Sequence, residues 1–144
     1  ARRRDQRAVR GSPSVRGWWS PRRHRRAPDV VARRDGADIG LITIGACDAA
    51  VREAADILAA QGTPVNVMRI RGFPFSQEVS DFIAQHGRVF VIEQNRDAQL
   101  RALLAIELGV PRDNMIAVLD YGGMPLTPKV VVDAVASHLA GVSA

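Results

Sequence analysis

Four consecutive side chains, Glu93, Gln94, Asn95 and Arg96, put a carboxylate, two amides and a guanidinium at the end of an apolar run, Val89–Ile92. Groups of this kind do not form a nucleophile with its base. They bind an anion, or they clamp another protein through paired, charge-assisted hydrogen bonds. Three other places offer similar chemistry: Ala46-Cys-Asp48, Arg71-Gly-Phe73 and Asp120-Tyr-Gly-Gly123. If each follows a strand of one parallel sheet, all four turns share a rim. Cys47, Arg71, Glu93, Asn95, Arg96, Asp120 and Tyr121 then come within reach of one another. The plainer reading is a set of solvated loop ends with local caps and ion pairs, and the residues leave both readings open.

Harder chemistry is not in evidence. Cys47 and His86 fall on different elements, one ending a strand and the other a helix, so a thiolate–imidazole pair is not expected and the thiol reads as buried and inert. His138 lies on the last helix as a surface residue. The three histidines have no acidic partner at ligand spacing, which gives no metal site. Ile44-Gly-Ala-Cys-Asp-Ala follows a strand and opens a helix, but Gly45 stands alone, so a dinucleotide fingerprint fails. No Gly-Lys-Ser/Thr phosphate loop occurs, Lys129 is the sole lysine, and Gly122-Gly123 reads as a turn.

The elements that must position these residues alternate regularly. Ile39–Gly45 is a β-branched apolar run, as expected of a strand covered on both faces. Asp48 would cap a helix carrying Val51, Ala54, Ala55 and Leu58, which Gly62 stops. Val65–Ile70 is the next strand, and Ser76 would cap a short helix with Val79, Phe82 and Ile83 on its apolar face. Val89–Ile92 is a third strand. Asp97 would cap a helix with Leu100, Leu103, Leu104 and Leu108 on one side, closed by Gly109. Met115–Leu119 is a further strand. Val130–Val132 favour a strand by propensity, but Thr127-Pro128 and the spacing of Ala134, Val135 and Leu139 predict a helix. Asp35-Gly36 suggests a hairpin joining a short antiparallel strand at Val30–Arg34 to Ile39. The pattern predicts a three-layer α/β/α fold with a mainly parallel sheet of four to five strands.

Charge divides the chain at about residue 36. Residues 1–36 hold twelve arginines, no lysine and three acids, a net charge of +9, whereas the other 108 residues carry −4. The leader also has Pro13, Pro21, Pro28 and both tryptophans, with almost no aliphatic run, and is expected to be disordered. The remaining ~108 residues suit one domain with one core. A single cysteine excludes an intrachain disulfide and fits a reducing compartment, the cytoplasm. No run approaches the ~18 apolar residues of a membrane span. The leader lacks the apolar segment of a secretory signal, and its prolines spoil the helix of a transit peptide. Arg2-Arg-Arg4 and Arg22-Arg-His-Arg-Arg26, with Trp18-Trp19 between them, could tether single-stranded nucleic acid. The arginine-without-lysine bias is also what GC-rich DNA yields in an unintended frame, and the incidental reading is preferred. Ala1 in place of methionine is compatible with a fragment.

From about Gly36 to Leu139 the chain resembles the C-terminal, transketolase-related module of the α subunit of 2-oxoacid:ferredoxin oxidoreductases. The resemblance rests on Ile39-Gly-Leu-Ile-Thr-Ile-Gly45, Arg71-Gly-Phe-Pro-Phe75, Val91-Ile-Glu-Gln-Asn-Arg-Asp-Ala-Gln-Leu100 and Tyr121-Gly-Gly-Met-Pro-Leu-Thr-Pro128. The third is the most specific; the second and third look most like the 2-oxoglutarate branch. The resemblance implies a role in thiamine-diphosphate-dependent oxidative decarboxylation to an acyl-CoA, with electrons passing through iron–sulfur clusters to ferredoxin. It implies as partners a β subunit and the rest of the α subunit. This chain has no Gly-Asp-Gly…Asn motif for diphosphate and magnesium and no cysteine set, so those cofactors are expected elsewhere and the polypeptide alone should be catalytically silent. Arg71, Phe73, Glu93, Asn95, Arg96, Gln99 and Tyr121 are then candidates for the rim that meets neighbouring domains. The alternative is a standalone interaction or anion-binding module with an arginine-rich nucleic-acid tail.

Overall fold

A computed structural model describes residues 28–142, and the expectations for residues 1–27 lie outside the described residues. Among the described residues, no helix is long and apolar enough to cross a membrane. Five strands are present: β1 (Asp29–Ala32), β2 (Ile39–Ile44), β3 (Val65–Ile70), β4 (Arg88–Glu93) and β5 (Met115–Leu119). Four helices accompany them: α1 (Asp48–Ala60), α2 (Gln77–Gln85), α3 (Gln99–Leu108) and α4 (Pro128–Val142). The sheet order is β1-β3-β2-β4-β5, with β2 to β5 parallel and β1 antiparallel to β3. The three-layer α/β fold is the one expected.

Alternation along the buried strands makes two cores. Leu41, Val67, Phe90, Ile92 and Val118 point to one face, under Val51, Ala54 and Leu58 of α1 and Val131 and Val135 of α4. Ile42, Met68, Val89, Val91 and Met115 point to the other, under Val79, Phe82 and Ile83 of α2 and Leu100 and Leu104 of α3. Because the side-chain period is two, one-residue slippage of any central strand would exchange the two sets. The same burial decides α4. Val131 and Val135 are four apart and fully buried, so helical packing overrides the strand preference of Val130–Val132.

The first strand departs from expectation. β1 does not form a hairpin with β2. It pairs with β3, with Asp29 opposite Arg69 and Val30 opposite Met68. Both edges of β2 are already taken by β3 and β4, so the free edge of β3 is the place left for an added strand. The Arg34 backbone N–H donates to Asn66 Oδ1 at 2.7 Å, and its guanidinium meets Asp56 at 2.6 Å. The sheet therefore takes in residues ahead of position 37, where the sequence places the start of the domain.

The caps differ as well. Asp48 is the first residue of α1, after a short 3-10 turn at Gly45–Cys47, and makes no cap bond. Its carboxylate instead holds Arg52 at 3.1 Å and Arg69 at 3.5 Å. Ser76 occupies the N-cap position of α2 in extended conformation, without a side-chain bond to the helix backbone. His138 is not a free surface residue, because α4 lies over β4 and brings its ring edge-on to Phe90 at 5.5 Å.

Candidate functional site

In a parallel sheet, ligands and partners meet the crevice outside the carboxyl ends of the strands where strand order reverses. Here β3 lies on one side of β2 and β4 on the other, so the reversal falls between β2 and β4. The turn after β2 and the Glu93–Arg96 segment after β4 flank that crevice.

Glu93 organises it. The residue is 1% exposed, so its carboxylate must be satisfied internally. One oxygen, Oε2, accepts from Asn95 Nδ2 at 2.6 Å and from the Leu100 N–H at 2.7 Å. The other, Oε1, accepts from the Arg101 N–H at 3.0 Å. Asn95 Oδ1 accepts from the N–H groups of Asp97 at 3.1 Å and Gln99 at 3.2 Å. The first N–H groups of α3 have no partners within the helix. Two side chains from the preceding turn supply them, and a carboxylate at a helix N-terminus is further favoured by the helix dipole. Asp97 does not cap this helix. Its carboxylate pairs with Arg96 at 2.8 Å instead. The turn closes through Ala98, buried and left-handed at φ 51°.

The rim candidates divide into groups. Glu93 and Asn95 lie beneath the rim, holding it. Gln94, Arg96, Gln99 and Tyr121 are exposed, and Tyr121 is 63% exposed. The Asp120 N–H donates to the Glu93 carbonyl at 3.1 Å, which joins the ends of β4 and β5. Arg71 and Phe73 stand elsewhere. They follow β3, which is separated from β4 by β2, so about 10 Å of sheet intervenes at the usual strand spacing. Arg71 pairs with Asp29 on β1 at 3.1 Å, and Phe73, 50% exposed, meets Phe75 edge-on at 5.5 Å. The expected single convergence is thus two clusters, one on β2/β4/β5 and one on β1/β3.

Cys47 is buried under the first cluster. Burial pushes its thiol above the ordinary range; the Thr43 hydroxyl and the Gln94 backbone pull the other way, and smaller contributions from the Asp120 and Glu93 charges add to the rise. A thiol held protonated in this way is a poor nucleophile at neutral pH. His86 lies at the other edge of the sheet. The Asn66 amide N–H donates to its Nε2 at 2.9 Å. Nδ1–H donates to the Phe82 carbonyl at 2.6 Å. Because Asn66 Oδ1 is held by the Arg34 N–H, only this tautomer satisfies every atom.

Fit to a magnesium–diphosphate cofactor can be tested on the donor set. Glu93 is held by three N–H donors and Asp48 Oδ2 is paired with two arginines, which leaves Asp120 as the one rim carboxylate without a charged or amide partner among the described residues. Among the described residues, no group of three His, Cys, Asp or Glu side chains converges as a metal site. The rim does not fit that cofactor.

Sequence reasoning missed the Glu93–α3 linkage. Its signal was an acid closing an otherwise wholly apolar strand, with Asn two positions on.

No protein-family model matches the chain, and no curated protein does. Solved structures do. A 2-oxoglutarate:ferredoxin oxidoreductase from Magnetococcus marinus, solved with 2-oxoglutarate, coenzyme A and succinyl-CoA bound, matches with TM-score 0.69 and 30% identity over 78% of this chain. The chain spans 19% of that protein's length. A split-gene transketolase in an inactive beta4 tetramer matches with TM-score 0.61 and 23% identity, over 90% of this chain and 46% of that one. The alpha chain of a probable 2-oxoacid ferredoxin oxidoreductase from Thermoplasma acidophilum matches with TM-score 0.50 and 23% identity, over 75% of this chain and 93% of that one. The described part of the chain has a transketolase-like α/β fold and is similar to a segment of a 2-oxoglutarate:ferredoxin oxidoreductase.

Proposed function

We propose that this chain is the C-terminal structural and assembly domain of the α subunit of a 2-oxoacid:ferredoxin oxidoreductase, of the 2-oxoglutarate branch, acting in the cytoplasm. In that role it supports thiamine-diphosphate-dependent decarboxylation to an acyl-CoA without carrying the reacting groups. Thiamine diphosphate, magnesium and the iron–sulfur clusters sit in the rest of the complex. The β subunit and the remainder of the α subunit are the direct partners, with ferredoxin and coenzyme A engaged by the whole. One observation carries this reading: the 30% identity with the Magnetococcus enzyme, extending over 78% of this chain.

The rim supports it physically. Gln94, Arg96, Gln99 and Tyr121 project from a turn whose backbone is held from below by Glu93 and Asn95, so the surface is preformed and little ordering cost attends docking. Arg71 and Phe73 add a second contact point on the same edge. The test is direct. The full chain, supplied with 2-oxoglutarate, thiamine diphosphate, magnesium, coenzyme A and a viologen acceptor, should reduce no acceptor. It should also bind no thiamine diphosphate in calorimetry. Micromolar binding of the cofactor would overturn the division of labour.

A further inference from the structure

Four of the five rim carboxylates have partners in the chain: Asp29 with Arg71, Asp48 with Arg52 and Arg69, Asp97 with Arg96, and Glu93 with the amides of α3. Asp120 is the exception. Among the described residues its carboxylate forms no ion pair. It lines an open cleft of about 450 Å³ with Ala46, Gln94, Tyr121, Met124 and Pro125, none of them basic. Gln94 Nε2 donates to the Met124 carbonyl at 3.1 Å and ties the two walls together. The walls expose a 63% accessible tyrosine and a 73% accessible methionine. An unpaired carboxylate beside an uncovered aromatic ring and a thioether is a setting for a flat, weakly hydrated cation. A guanidinium can accept the carboxylate in its fork and stack on the ring, whereas an ammonium is held more strongly by water. The negative field reaches the base of the crevice, where the Asp120 and Glu93 charges add to the effect of burial on Cys47.

We infer that this cleft receives an arginine side chain from a partner polypeptide, held between the Asp120 carboxylate and the Tyr121 ring. The inference rests on the rim being an assembly surface and names the chemistry of the partner at that point.

N-acetyl-arginine methylamide is the probe, titrated into the full isotope-labelled chain with the neutral citrulline analogue and the lysine analogue as comparisons. The arginine probe should give saturable amide shifts at Ala46, Gln94 and Gly123, with affinity about tenfold or more above that of citrulline. Those shifts should weaken as salt rises from about 0.05 to about 0.5 M. Asp120→Asn should abolish them and Tyr121→Leu should weaken them several-fold. Asp120→Asn keeps the backbone bond to Glu93, so an unchanged remaining spectrum serves as the folding control. Equal binding of citrulline, a preference for lysine, or unchanged binding by Asp120→Asn would overturn the inference. So would shifts that follow protein concentration without probe, since the occupant would then be a second copy. Assembly is read separately. If the probe binds as described but the Asp120→Asn equivalent of a homologous complex assembles normally, the cleft's preference stands and the rim reading falls.

Discussion

The two edges of the sheet contrast in how their polar groups are used. At the amino edge, the Arg34 backbone N–H, the Asn66 amide, the His86 ring and the Phe82 carbonyl form a continuous chain of hydrogen bonds. The larger cavity is on that side, about 550 Å³ lined in part by His86, Arg88, Asp113 and His138. Its walls mix engaged and open groups: Arg88 lies near Asp38 at 4.0 Å and the Gly87 N–H donates to the same carboxylate at 3.0 Å, whereas Asp113 forms no ion pair among the described residues. The carboxyl rim has the smaller cleft, yet there Asp120 has no ion pair among the described residues and Phe73, Tyr121 and Met124 stay exposed. Volume alone does not mark a site. An open carboxylate beside exposed aromatic and thioether side chains does.

That comparison can be broken at its strongest point by Glu93→Ala. The change removes the acceptor for two helix amides and Asn95 and leaves a void, for a loss of about 3 kcal/mol in urea unfolding. Hydrogen exchange should rise first at Leu100 and Arg101. A loss under about 1 kcal/mol would mean that α3 is held chiefly by Leu100 and Leu104. At the other edge, Gly40→Ala should cost about 2 kcal/mol. A Cβ there would stand 2.7 Å from Phe82 Cε1 and 3.1 Å from His86 Cγ, so α2 would have to shift and the His86 hydrogen bonds with it. Histidine ring NMR would report that displacement, and an unmoved ring signal would contradict the packing argument.

Ala98→Gly should act in the opposite direction. Relief of the left-handed backbone outweighs the greater freedom of the unfolded chain and the lost methyl, for a net gain of roughly 0.5 kcal/mol. A loss in thermal unfolding would show that the methyl packing matters more than the strain. Arg96→Ala should do least in the isolated chain, under about 0.5 kcal/mol, because its partner Asp97 is an exposed neighbour. In an intact homologous complex the same change should weaken assembly at nearly unchanged turnover per assembled complex. Normal assembly with collapsed turnover would move Arg96 into the active site.

Much of the fold was legible because its signals are local. Val65–Ile70 and Met115–Leu119 have the bounds their apolar runs predict, and Gly109 closes α3 in the left-handed conformation. At α4 two local signals conflict, strand propensity at Val130–Val132 against the Thr127-Pro128 start and the spacing of Ala134, Val135 and Leu139. The helix that the latter predict is the one that forms, burying Val131 and Val135. The rim turns were legible too, since each follows a strand of a parallel sheet.

The sequence by itself therefore determined the alternation of elements, the two buried faces of the strands and the identity of the rim segments, all of which follow from side-chain periods of two and 3.6 residues within a single element. Tertiary structure alone decided that β1 joins β3, that Arg71 and Phe73 stand apart from Glu93, and that Asp120 is the rim carboxylate without an ion pair among the described residues. The physical reason is that strand order sets which loop ends are neighbours. A carboxylate's partner is then whichever donor the fold brings within about 3 Å, at any distance along the chain.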